Sequence, residues 1–353
     1  MVKLKIRKEV AGMGRATRMN RITSKELLAQ VNPENTELLD EFLDYLRSVQ
    51  KSETTIEAYR HDIQIAWVWC LQHNKNLFFC DWTKRHIVKY QNWLINENGN
   101  SPARVRRLKA SLSSLANYIE LILDEDYPNF RNIINKIESP VNQPVREKTI
   151  LTTDDIDYIL DALLADKKYE IACFVALAAY GGRRKSEICR FRVTDFGEDK
   201  LVCGGSLWRS DPLKTKGRGT QGKMLNVYTL AKPFRPYLEL WMKEREERGI
   251  DSKWLFPSER DPEVPLPITT VDSWMNTLSK MTGKNIYAHS FRHMYTTYLS
   301  DNGIPDSVIK EIQGWSDISM VSVYVDRSTE STLDMYFGAD GFKKVESKGL
   351  GDL

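Results

Sequence analysis

The chain has 353 residues, 41% of them hydrophobic, and 51 lysines and arginines against 48 aspartates and glutamates give a net charge of +3. That length predicts two domains, and that composition suffices for ordinary buried cores. No apolar run reaches the about 18 to 20 residues of a membrane span, and residues 1–21 hold no stretch of signal-peptide length, so neither a membrane nor a secreted protein is expected.

Charge is uneven along the chain. Residues 1–31 carry eight lysines and arginines against two glutamates, which leaves the rest at a net −3. Any affinity of the body for nucleic acid must therefore come from local basic faces. The arm 1–31 has weak periodicity and reads as an interaction segment, disordered when free.

Residues 32–138 read as an all-helical domain. Asn35 to Val49 places Leu38, Leu39, Phe42, Leu43 and Leu46 at helical spacing. Thr54 to Glu57 reads as a capping box opening a helix to about Gln72. Thr83 opens another through Ile95. Ser101-Pro102 then starts a helix to about Leu123, since proline costs nothing at the first helical position. The first turns of that helix hold Arg104, Arg106, Arg107 and Lys109. Four cations there oppose the helix dipole and are better explained as phosphate ligands.

Pro140 and Pro144 among polar residues mark a linker over 139–150. A second domain, 151–328, opens at Thr152 or Thr153. It continues with an apolar helix over 169–180 and two strands, Leu201 to Trp208 and Lys223 to Leu230, joined by a glycine-rich loop. Helices at about 232–247, 270–282, 289–302 and 305–313 follow. Residues 329–353 form a tail. The class is mainly α with a small antiparallel sheet.

No histidine pairs with a cysteine at zinc spacing, and Cys70, Cys80, Cys173, Cys189 and Cys203 show no Cys-x-x-Cys pairing. Buried thiols in a reducing compartment, and no metal, are expected.

Four polar clusters stand out in the C-terminal half: Gly181-Gly182-Arg183-Arg184-Lys185-Ser186-Glu187, His289-Ser290-Phe291-Arg292-His293, Gly314-Trp315 and Tyr324. Two arginines and a lysine can neutralise a transferring phosphate, and a tyrosine can attack it. An arginine fork grips two phosphate oxygens at once, which a lysine cannot.

In order and spacing the set resembles the tyrosine recombinases, the phage-type integrases and their relatives. The resemblance covers roughly residues 150–328 by motif and the helical region only by layout. By its register Arg184 and Arg292 are the phosphate clamps. Glu187 steadies Arg184, and His289 donates to the phosphate or assists proton movement at Tyr324, with His293 structural. Trp315 stands where many members carry histidine, and its indole N–H can donate but cannot exchange a proton. Lys214 in the hairpin is the expected general acid, with Lys216 the alternative there or otherwise a DNA contact, and Lys223 a third candidate. Tyr336 competes with Tyr324 but lies too far from Trp315.

The resemblance implies a two-domain C-shaped clamp on double-stranded DNA with inverted-repeat core sites, with a helical core-binding domain and a catalytic domain. It implies a 3′-phosphotyrosyl intermediate, no cofactor and a homotetramer on DNA. Accessory DNA-bending proteins and a tail that contacts a neighbouring protomer are compatible with it. The setting is the cytoplasm of a prokaryotic cell, with the gene carried there or by a phage or other mobile element. Two readings compete, a type IB topoisomerase or telomere resolvase and a non-catalytic DNA-binding protein of the same fold. The second would not need a nucleophile.

Overall fold

The computed structural model describes residues 22–141, 149–215 and 222–325, with the backbone alone of Phe337–Gly338 and Gly341–Phe342. Arm residues 1–21, most of the linker, Lys216, Tyr336 and nearly all of the tail lie outside the described residues. The described chain forms two compact units, one drawn from residues 22–141 and the other from 149–215 and 224–325.

In the first unit α1 spans Lys25–Leu28, α2 Pro33–Ser48, α3 Glu53–His73, α4 Lys84–Asn92 and α5 Pro102–Ile122. Local chemistry sets the starts. Asn32 accepts from the Glu34 amide with Pro33 at the first position, and Ser101 accepts from Arg104 N ahead of Pro102. The expected capping box at Thr54 is corrected. Ser52 caps α3 by accepting from Thr55 N, because it offers a hydroxyl two residues earlier. Thr83 does open α4, paired with His86, and a π-helical turn over Trp93–Glu97 continues it. Phe42, Leu43, Ile56, Ile63, Leu112 and Leu115 fill the core, each fully buried.

In the second unit Thr152 caps α6, Thr153–Ala165, with Asp155 completing a capping box. The central helix is α7, Tyr169–Gly181, where every residue from Ala172 to Ala179 is buried. Such a helix carries no amphipathic stripe because neighbours surround it. After it come α8 (Lys185–Ile188), α9 (Ala231–Glu247), α10 (Ile268–Thr282), α11 (Ala288–Asp301), α12 (Asp306–Gln313) and α13 (Ser319–Tyr324).

The two long strands expected here are corrected. Five short strands replace them: β1 Leu201–Val202, β2 Leu207–Arg209, β3 Leu213–Thr215, β4 Lys223–Leu225 and β5 Tyr228–Leu230. Cys203, Gly204 and Gly205 all have positive φ and turn the first expected strand back on itself, with Leu201 opposite Trp208. The second divides its pairing. β5 joins β2 antiparallel, with Trp208 opposite Thr229, while β4 pairs with β3. The mainly helical class with small antiparallel sheets stands.

Candidate active site

The C-terminus of α7 sets the first arginine. Gly182 ends the helix at φ +60, and a Cβ there would lie 2.2 Å from the Tyr295 ring, so the tight turn needs glycine. Two residues on, Arg184 is the cap of α8. Its Nη1 donates to Glu187 Oε1 at 2.7 Å, and its amide donates to Glu187 Oε2 at 3.2 Å. Glu187 is 1% exposed at the side chain and Arg184 is 32% exposed. The carboxylate therefore anchors a guanidinium that still reaches the surface. Arg183 bonds carbonyls instead. It is buried, with Nε donating to Gly181 O and Nη2 to Ile312 O.

Arg292, on α11, is fully buried. Its Nη1 donates to Gly182 O at 2.9 Å and Nη2 to Gln313 O at 3.0 Å. Both acceptors sit at helix C-termini, where carbonyls lack helical partners. Its guanidinium lies 5.1 Å from the Trp315 ring centroid and 5.7 Å from that of Tyr324. Burial, then Arg183 and Arg184, pull its pKa down to about 9, which leaves it a cation at neutral pH. Among the described residues, Arg292 Nε and Trp315 Nε1 are buried donors with no protein acceptor.

Tyr324 ends α13 within this group. Its Oη is 2.7 Å from His289 Nε2, its ring stacks on His293 at 4.5 Å and it lies 4.7 Å from the Trp315 ring. One turn of α11 separates His289 from His293, so both face the tyrosine. Burial, then Arg292, His293 and Arg184, depress the His289 pKa to about 4, which keeps the imidazole neutral at pH 7. A neutral imidazole can take a phenol proton; a charged one cannot.

Lys214 lies on β3, exposed, with its carbonyl accepting from Arg190 Nη1 at 2.9 Å. β3 lies against α8, and Leu225 of β4 touches Gly314, so the strand pair runs between the Arg184 and Trp315 segments.

In the helical unit, Asp62 on α3 organises the basic start of α5. Arg104 Nη1 donates to Asp62 Oδ1 at 2.6 Å, Arg107 Nε to Oδ2 at 3.1 Å and Ser111 Oγ to Oδ2 at 3.0 Å. Arg104 and Arg107 remain 35% and 58% exposed while Asp62 is 3% exposed. Arg106 is exposed and donates to Pro140 O. Lys109 departs from the basic face it was expected to share. Its ammonium is buried and bonds Gln91 Oε1, Ile137 O and Glu138 O, which leaves nothing for a phosphate. Sequence reasoning missed Asp62, although an acid next to Ile63 and one turn before Ala66, both on the apolar helix face, was a signal for it. It also missed Arg183 as an anchor, and no local pattern shows its Ile312 partner.

Residues 149–331 match the model of the phage integrase family, and residues 38–128 match its N-terminal SAM-like domain. The chain is 29% identical over 321 residues to the SPbeta prophage-derived recombinase-like protein YomM of Bacillus subtilis, covering 88% of each. It is 24% identical over 307 residues to the tyrosine recombinase XerA of Pyrococcus horikoshii, covering 84% of this chain and 91% of that one. Among solved structures, it resembles the Tn1549 transposon integrase in complex with circular intermediate DNA at TM-score 0.62 and 17% identity, covering 84% and 98%. A lambda integrase dimer bound to a COC′ core site follows at 0.60 and 18%, covering 92% and 85%.

Proposed function

The chain belongs to the phage integrase family of tyrosine recombinases, and from that premise we propose that it cuts and rejoins double-stranded DNA at specific sites, with Tyr324 as the nucleophile. The observation that carries this reading is the 2.7 Å bond between Tyr324 Oη and a neutral His289, beside the Arg292 guanidinium.

His289 Nε2 takes the phenolic proton as Oη attacks the scissile phosphorus. The Oη–P bond forms as the bond from phosphorus to the 5′-oxygen breaks. Lys214 Nζ supplies the proton that the departing oxygen needs. Arg184 and Arg292 neutralise the non-bridging oxygens, and the Trp315 indole N–H donates to one of them. Arg292 commits two of its five N–H protons to carbonyls, so three remain for phosphate. Because it is fully buried here, DNA binding must open the way to it. The phosphotyrosyl bond keeps the energy of the cut linkage, and the 5′-hydroxyl of a partner strand spends it on rejoining.

Inverted-repeat core sites, a tetramer of this chain on DNA, accessory DNA-bending proteins, a tail reaching a neighbouring protomer and a cytoplasmic setting complete the proposal. The test is a nicked suicide substrate that traps covalent protein–DNA adducts. Tyr324→Phe keeps the ring, so it should fold, bind DNA and form no adduct, while Tyr336→Phe should form it. The reverse pattern would move the nucleophile to Tyr336.

A further inference from the structure

Arg183 has no part in the chemistry above, yet it is a buried guanidinium in the turn that presents Arg184. Its partners are specific. Arg183 donates to Gly181 O and Ile312 O, and Arg292 donates to Gly182 O and Gln313 O. Each arginine thus takes one carbonyl from the end of α7 and one from the end of α12. The carbonyls are consecutive in both helices. They form two parallel stitches across the same pair of helix ends.

The ends joined in this way carry the functional segments. Gly182 leads into Arg184, and Gly314, in the left-handed conformation at φ +68, leads into Trp315. A phosphate reaching Arg292 takes the N–H groups that the inner stitch leaves and so loads the same guanidinium. The outer stitch bears none of that load, because both Arg183 donors are already bonded to carbonyls.

We propose that Arg183 is a positioning residue for strand cleavage: it keeps the C-termini of α7 and α12 together while Arg292 engages the phosphate. A side chain with two donors in a planar fork is needed, since it bonds carbonyls on two different helix ends, at 181 and 312. Lysine keeps the charge but is a single point donor. Methionine fills the stem and bonds neither carbonyl.

The inference rests on the cleavage reading above, and its test separates the two. Single-turnover adduct formation is measured at saturating suicide substrate, with DNA affinity and melting temperature recorded in parallel. If the unmodified protein forms no adduct, the cleavage reading fails. If it does, Arg183→Met should bind DNA within about threefold of it and form adduct at least about 30-fold more slowly, somewhat less than the roughly 10²-fold or more of a lost active-site donor. Arg183→Lys should fall between. In an Arg292→Ala background either Arg183 change should cost less than about threefold more, because coupled residues are not additive. A folded Arg183→Met protein that cleaves within threefold of the unmodified one overturns the proposal, as does an equal loss in both backgrounds. Should Arg183→Met not fold, Arg183→Lys decides by its own loss, expected at about fivefold or more, and by the same coupling to Arg292→Ala.

Discussion

On α5, Arg104 and Arg107 share the carboxylate of Asp62, whereas at the ends of α7 and α12 Arg183 and Arg292 are held by carbonyl oxygens. The difference lies in what charge remains. Two guanidiniums against one carboxylate leave a single positive charge on a half-exposed helix start. Arg183, Arg184 and Arg292 against Glu187 leave two, and most of that is buried, with His289 kept neutral beside it. A carbonyl orients a cation without cancelling it, and the negative end of a helix dipole favours it there. A carboxylate orients and cancels together. The carboxylate arrangement on α5 suits a grip that salt can loosen, and the carbonyl arrangement suits a phosphate whose charge grows during reaction.

The sharpest way to break this comparison is to keep charge and remove the fork. Arg184→Lys and Arg292→Lys should each lower single-turnover cleavage by about 10² or more, the scale of a lost transition-state donor. Near-native cleavage by both would show that buried charge alone is enough and that the carbonyl seats orient nothing of importance. Lys214→Ala comes next. It should cleave ordinary DNA poorly yet cut a substrate with a 5′-bridging sulfur well, since that leaving group needs no proton. Rescue of Lys216→Ala instead would shift the acid two residues along.

A smaller effect belongs to the helical unit. Changing Arg104 and Arg107 together to Ala should lower the slope of log K against log salt by about 2, because each phosphate contact contributes about 0.9 through counterion release. Asp62 would then be left buried without its partners, so folding must be verified by circular dichroism first. An unchanged slope would return these arginines to a structural pair and leave the buried group as the one proposed phosphate site of the two.

What the sequence made legible follows the range of each interaction. Thr83, Ser101 and Thr152 were readable as helix starts because a cap is settled within four residues. The Arg184–Glu187 pair was readable for the same reason. Lys109 was not, since its acceptors at Ile137 and Glu138 return from 28 and 29 residues away and bury it. Arg292 read as a phosphate clamp on motif alone, and its carbonyl seats, 110 residues upstream and 21 downstream, carry no sequence mark. Runs of β-branched and aromatic residues overstated strand length, because a run does not reveal the positive-φ turn at Cys203 that folds it. The short helix carrying Tyr324 went unread too: at six residues it is too brief for periodicity to show.

The smallest predicted effect concerns the neutral histidine that sets the buried group apart. The His289 pKa is depressed to about 4 by burial and by Arg292, His293 and Arg184, against about 6.5 in an unfolded chain. Between those values the unfolded state holds a proton that the folded state refuses. Stability from this group is therefore complete above pH about 6.5, falls as pH drops and is gone below about pH 4. From pH 6.5 to 5 the loss is about 2 kcal/mol at most, at 1.36 kcal/mol per unit. In ¹⁵N spectra the His289 ring should remain a neutral imidazole at pH 5.5. Arg292→Ala should raise the midpoint, because it removes a like charge that disfavours protonation. Should His289 instead titrate near 6.5 in the intact protein, the imidazole would be the stronger base for the Tyr324 proton but partly charged near neutral pH, and the contrast between the two arginine groups would rest on geometry alone.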